Sequence, residues 1–289
     1  MIKQLKKTAI AAIVGGGFLA SMSAQAIVVG GIDFGTTGAD PFNLHFETAT
    51  IAQTLITGNG QSATAYGQIT TVNGETNYCG TVGDDCTLYY VANFSGSAGF
   101  DGTPGDTFTF SSGIINVYFA DNRLANLLTN PGGSADNVND ISALTPWASF
   151  SNHGDVQATG TFIGATTLAG SSAALYDINL GDGFGIGAVE SFFDANTVAD
   201  TSGGFADIDV TTSFTNLRSR LNQFDPEVVN NSCFNGTAGQ GDWCLGGTSD
   251  IAGGTVTVPE PATMALLGLG LVGMGLGRRF ASTTISLTA

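Results

Sequence analysis

From residue 27 to residue 257 the chain contains no lysine, and its only cations there are Arg123, Arg218 and Arg220. The three lysines, Lys3, Lys6 and Lys7, all fall in the first seven residues. The chain has 24 acidic residues; one, Glu260, lies beyond residue 257, so 23 acids face three arginines and the body carries −20. A nucleic-acid partner would require cations to displace counterions from phosphate, which excludes that class. Anionic membrane surfaces are disfavoured for the same reason. The charge favours solubility and self-repulsion.

Catalytic signatures are scarce too. There are two histidines, His45 and His153, so a Ser/His/Asp triad would have to use one of them. No Walker A sequence and no G-x-S-x-G elbow occurs; Phe94-Ser95-Gly96-Ser97-Ala98-Gly99 has Ser95 where the elbow needs glycine. The four mature-region glutamates, Glu47, Glu75, Glu190 and Glu227, and the many aspartates contain a possible glycosidase pair, but no spacing selects two of them. His153-Gly154-Asp155 reads as a turn before it reads as half a metal site. Asp177-Ile178-Asn179-Leu180-Gly181-Asp182-Gly183 fails the calcium-loop pattern because Gly181 replaces the third ligand. We therefore expect no enzyme activity and no catalytic residues. No fixed-period repeat is present, which argues against a solenoid.

What is present begins at the N-terminus. Lys3, Lys6 and Lys7 precede the uncharged stretch Ala9–Met22, and Ala24-Gln25-Ala26 supplies small residues at a cleavage site. Residues 1–26 read as a secretory signal peptide, cut between Ala26 and Ile27. The Sec translocon and signal peptidase are the partners this implies.

Near the other end, Val258-Pro259-Glu260-Pro261 leads into sixteen uncharged residues, Ala262–Gly277, closed by Arg278-Arg279. As a helix the run spans about 24 Å, short of the about 30 Å hydrocarbon core. A core helix would show a polar face, and this run has none. The arginines suit a cytoplasmic stop. This order of triplet, short transmembrane helix and basic cluster resembles the PEP-CTERM sorting signal. A C-terminal region of this kind also goes by the name ice-binding protein C-terminal domain, a label that says nothing of ice binding. The resemblance covers residues 258–280, with a polar tail at 281–289. It implies recognition by an exosortase and processing near the triplet. It further implies transient insertion in the inner membrane of a Gram-negative bacterium, then passage to the cell surface or extracellular matrix.

The body, residues 27–257, has four cysteines, Cys79, Cys86, Cys233 and Cys244. An even count in an exported chain implies disulfides. Three pairings are possible, and the local one (79–86 and 233–244) is favoured by closeness in sequence. Each loop would contribute about 2.5–3 kcal/mol in the chain-entropy model. Neither spacing is the C-x-x-C of zinc or redox sites.

Periodicity predicts strands. Leu88, Tyr90, Ala92 and Phe94 share a face, and Ala206, Ile208, Val210, Thr212 and Phe214 alternate with Asp207 and Asp209 on a wet one. Further strands are expected at 48–56, 62–72, 106–111, 114–119 and 155–168, and short helices at 140–144, 189–194 and 215–224. Gly-rich turns at 58–60, 101–105 and 181–183 separate them. This predicts an all-β class: a single β-sandwich or jelly-roll-like domain with short helices.

Gly31-Ile32-Asp33-Phe34-Gly35-Thr36-Thr37-Gly38 resembles the first phosphate loop of the actin and sugar-kinase ATPases, but no second loop and no lysine accompany it. Trp147 and Trp243 are candidates for stacking on sugars, with core packing the simpler role. Proteins with the sorting signal are associated as a family with exopolysaccharide, biofilm and flocs. The expected function is thus a structural or binding protein of the surface or matrix, with extracellular polysaccharide as partner and Ca²⁺ bridging as an option. The alternative is a secreted carbohydrate-active hydrolase.

Overall fold

In a computed structural model of the chain, the structure describes residues 27–35, 45–81, 85–103, 105–125, 127, 130, 133–162, 168–216, 233 and 237–253. These belong to a compact unit, Ala26–Val256. The expected signal peptide, sorting-signal helix and tail lie outside the described residues, as does 217–224 of one expected helix.

The unit is built on strands β1 (Val28–Val29), β2 (Ile32–Asp33), β3 (His45–Thr54), β4 (Ala63–Ile69), β5 (Thr71–Val72), β6 (Thr87–Ala98) and β7 (Thr107–Ala120). Helix α1 (Gly133–Ser142) follows, then β8 (Thr145–Asn152), β9 (Val156–Phe162) and β10 (Leu168–Ile178). Helix α2 (Gly187–Phe193), β11 (Val198–Ala199), β12 (Phe205–Ala206), β13 (Ile208–Thr215) and β14 (Trp243–Gly253) complete it.

The all-β class holds, but the main sheet closes into an eight-stranded barrel where a two-sheet sandwich was expected. β3, β4, β6 and β7 pair in succession, each antiparallel to the last. β8 and β9 act as one broken strand along β7: Phe119↔Thr145 to Ile114↔Ser151, then Phe110↔Val156 to Thr107↔Thr159. The break falls at residues 153–155. β10 pairs with both halves, then with β13, and β13 with β14. β14 returns to β3 (Trp243↔Thr54 to Ala252↔His45) and closes the ring. Closure removes the free edges that an open sheet would expose.

Strand alternation fills the barrel. Leu88, Tyr90 and Ala92 point inward as the period predicts, with Ile51, Phe110, Ile115, Phe150, Tyr176, Val210 and Ile251. Over its first half, the opposite side of β6 is not solvated either. Tyr89 and Val91, with Tyr66 and Tyr118, are buried under α1, which lays Ile141 on them. Gly247 marks the tightest strand approach: a Cβ there would lie 1.7 Å from the Ser213 carbonyl oxygen.

One end is capped by the β1–β2 hairpin and α2. Phe34 and Phe193 are buried there against Phe46, Trp147 and Phe150, with Phe193 stacked on Phe46 at 5.6 Å. The Trp147 indole donates to the Gly30 carbonyl at 2.9 Å. Gly30 sits at φ +56°, and a Cβ would fall 2.5 Å from that indole nitrogen, so the hairpin turn requires glycine. Full burial of each such ring contributes about 1.5–3 kcal/mol.

Several expected elements moved. The strands expected at 106–111 and 114–119 are one, β7, running through Gly113. β8, β10 and β14 were not anticipated, except that the stretch 155–168 overlaps β9 and the first residue of β10. The helix expected at 140–144 is α1, seven residues earlier in start. α2 falls where a helix was expected at 189–194.

Candidate functional site

The sorting residues Val258, Pro259, Glu260, Pro261, Arg278 and Arg279, and the cleavage residues Ala24 and Ala26, lie outside the described residues. Ile27 is the first residue described. Among the described residues no helix is long and apolar enough to cross a membrane.

The cysteines pair locally, Cys79 with Cys86 and Cys233 with Cys244, at Cα separations of 5.7 and 5.3 Å. The first joins the start of β6 to the segment that bridges Ile32, at the capped end. Beside it the Tyr78 hydroxyl donates to the Ile69 carbonyl at 2.5 Å and accepts from the Leu88 amide at 3.1 Å. Burial pushes this phenol up to about 12, the Leu88 contact opposing the shift. The second disulfide ties Cys233 to Cys244 at the start of β14, next to the pairing of Trp243 with Thr54.

Among the described residues, several of the candidate acids hold loops, while the Glu47 side chain and Glu227 lie outside the described residues. Asp207, expected on a wet face, is buried and accepts from three backbone amides: Ile178 at 2.9 Å, Ala195 at 2.9 Å and Asn196 at 2.8 Å. It sits one residue before β13, where the chain turns in from the β11–β12 hairpin, so the strand alternation does not reach it. Glu190, on α2, accepts from the Gly181 amide at 3.0 Å. Asp33 accepts from the Gly35 amide at 2.7 Å, which makes a local turn there; residues 36–38 of the phosphate-loop look-alike lie outside the described residues.

The calcium-loop look-alike also disperses. Asp177 points to His153, Asn179 accepts from the Ser151 hydroxyl at 2.8 Å, and Asp182 accepts from the Phe184 amide at 2.8 Å. Among the described residues no three His, Cys, Asp or Glu side chains gather to hold a metal. Trp147 is fully buried, and Trp243 packs edge-on to Tyr66 at 5.3 Å. Both serve packing.

Two features of the barrel strands stand out as candidate sites among the described residues. Inside the barrel lies a small cavity of about 50 Å³, with Phe94, Phe108 and Phe110 on one wall and Gln53, Ser172, Thr212 and Ser249 on the other. On the outside, β9, β10, β13 and β14 present an open groove of about 730 Å³. Its outward row comprises Thr159, Ser171, Ser213 and Thr248, register partners across the four strands, and a second row holds Gln157, Ala173, Thr211 and Asp250. Ser213 and Thr248 hydroxyls bond each other at 3.0 Å. At the rim, burial and then the neighbouring Asp250 raise the Asp209 carboxyl above its ordinary value. Sequence reasoning marked only the β13 part of this face, as the wet side opposite Ile208, Val210, Thr212 and Phe214; the parts on β10 and β14 were missed.

The C-terminal stretch is decided by comparison. The family pattern of the PEP-CTERM protein-sorting motif matches residues 257–279. The chain carries a PEP-CTERM sorting signal. The PEP-CTERM match spans the triplet, the uncharged run and both arginines, and marks an exported protein that an exosortase sorts to the cell surface. No curated protein and no solved structure matches the chain.

Proposed function

We propose that this PEP-CTERM protein is a structural or binding component of the cell surface or extracellular matrix of a Gram-negative bacterium. Catalysis has no part in this reading. The single observation that carries it is the sorting motif at residues 257–279, placed after an acidic, disulfide-linked domain. The hydrolase alternative finds less support, because Asp207, Glu190 and Asp33 are engaged by backbone amides and Asp177 by His153. Extracellular polysaccharide is the partner class, and the hydroxyl-lined groove is the surface offered to it. Calcium enters only as a counter-ion shared between the acidic exterior and the polymer.

The test is fractionation of host cultures. The wild-type protein is expected in the surface and matrix fraction, released in part by EDTA. A chain truncated before Val258 is expected in the culture supernatant. Equal partitioning of the two, with no change on gene deletion in matrix yield or cohesion, sinks the proposal.

A further inference from the structure

His153 occupies the break between β8 and β9, and both of its ring nitrogens face carboxylates. Nδ1 lies 2.7 Å from Asp177 Oδ2 on β10, and Nε2 lies 3.7 Å from Asp200 Oδ2. Asp200 begins the turn of the β11–β12 hairpin, where it organises the tip. Its amide donates to the Gly204 carbonyl at 3.1 Å, its carboxylate accepts from the Ser202 amide at 3.0 Å, and the Ser202 hydroxyl donates to the same carboxylate. A Cβ on Gly204 would lie 3.6 Å from Nε2, so the tip lies close to the imidazole with room for no more than a methyl between them. The base of the hairpin is fixed independently, by the buried Asp207 and its three amide donors.

We propose that His153 is a pH-operated latch that holds the tip of the β11–β12 hairpin to the barrel. When protonated, the imidazolium donates to Asp177 and pairs with Asp200, so it joins β10, the β8–β9 break and the hairpin. When neutral, it keeps one proton. With that proton on Nδ1, donated to Asp177, the Nε2 lone pair faces the Asp200 carboxylate, and the attraction holding the tip is lost. The base remains clamped, so the motion is confined to residues 200–204.

The groups around the ring are all acidic: Asp177 from β10, Asp200 from the hairpin, Asp207 from its base, and Asp155 two residues on in its own segment. The hydrogen bond to Asp177 is the largest influence holding His153 above its ordinary 6.5; burial opposes it, and the charges of Asp177, Asp200 and Asp207 add to it. Asp200 is held below its ordinary value, chiefly by Ser202, so it stays ionised throughout. The sign follows. A histidine with a raised folded pKa contributes its stabilisation fully below 6.5 and loses it as pH rises through the raised value.

Amide hydrogen exchange by NMR on the exported protein, labelled in its host and corrected for intrinsic exchange, reads the latch directly. Between pH 5.5 and 8.5 the protection of the 200–204 amides is expected to fall about two- to fivefold, the range of an exposed ion pair. Its midpoint should coincide with the His153 ring titration, above 6.5. In Asp200→Asn the tip is expected to be unprotected at both pH values, the ring to titrate lower, and the β10 and β13 amides to stay unchanged. His153→Gln should give the same pH-independent tip. Equal wild-type protection at both pH values, a ring titrating at or below 6.5, or a pH dependence that survives either substitution overturns the latch.

Discussion

Two outer faces of one barrel have opposite fates. On β4, β6 and β7 the outward residues Tyr66, Tyr89, Val91 and Tyr118 are buried beneath α1. On β9, β10, β13 and β14 the outward residues are Thr159, Ser171, Thr211, Ser213 and Thr248, and an open groove lies over them. Backbone pairing is the same antiparallel ladder in both. The difference therefore lies in side-chain chemistry. Aromatic outward residues gain by leaving water and recruit a covering helix. Hydroxyls gain nothing from an apolar cover and would need hydrogen-bond partners beneath it. The covered face is part of the core. The open face is left to solvent.

Substitutions can break this comparison, and the covered face should respond most. Ile141, fully buried on α1, has no counterpart on the open face. Ile141→Ala is expected to cost about 2–5 kcal/mol in denaturant unfolding. A loss below about 1 kcal/mol would mean that α1 is a loose cover. Asp209 at the rim of the open face gives a smaller effect of opposite sign. Its folded pKa is raised above 3.8, so its ionisation subtracts stability above the raised value and nothing below 3.8. The group is largely solvent-screened. Asp209→Asn is thus expected to stabilise on the order of a few tenths of a kcal/mol at pH 7 and not at pH 3. Thermal melts at the two pH values check it. Thr211→Val should change stability least, within about 0.5 kcal/mol, because its neighbours are solvated. A loss comparable to Ile141→Ala would show that the hydroxyl face is internally supported, and would end the contrast.

Much of one face of the barrel was legible in the sequence. The inward set Leu88, Tyr90 and Ala92 follows from period two alone, and the disulfides follow from local spacing. Closure was not legible. It depends on β14 meeting β3 across about 200 residues, and meander turns look the same in a sandwich and a barrel. β10 and β14, reading LAGSSAALYDI and WCLGGTSDIAG, are too rich in Gly, Ala and Ser to score as strands; their place comes from neighbours on both sides. The first part of α1, 133–139, was hidden by Asp, Asn and Ser, weak helix formers held by packing and by Asn137, which donates to the Tyr66 hydroxyl at 2.8 Å. His153 and Asp177 were both noticed, but as parts of separate metal motifs. Their partnership with Asp200 depends on three segments meeting, which spacing does not report. The sorting signal was fully legible because its chemistry is linear.

The central claim is that this barrel is delivered to the surface by a PEP-CTERM signal that exosortase acts on. Intact-mass and terminal-peptide spectrometry of the protein from its host, wild type against an exosortase deletion, tests it most directly. The expected wild-type chain begins at Ile27 and ends near Val258–Pro261, whereas the deletion strain retains the sequence to Ala289. A wild-type chain that still ends at Ala289 would contradict the account.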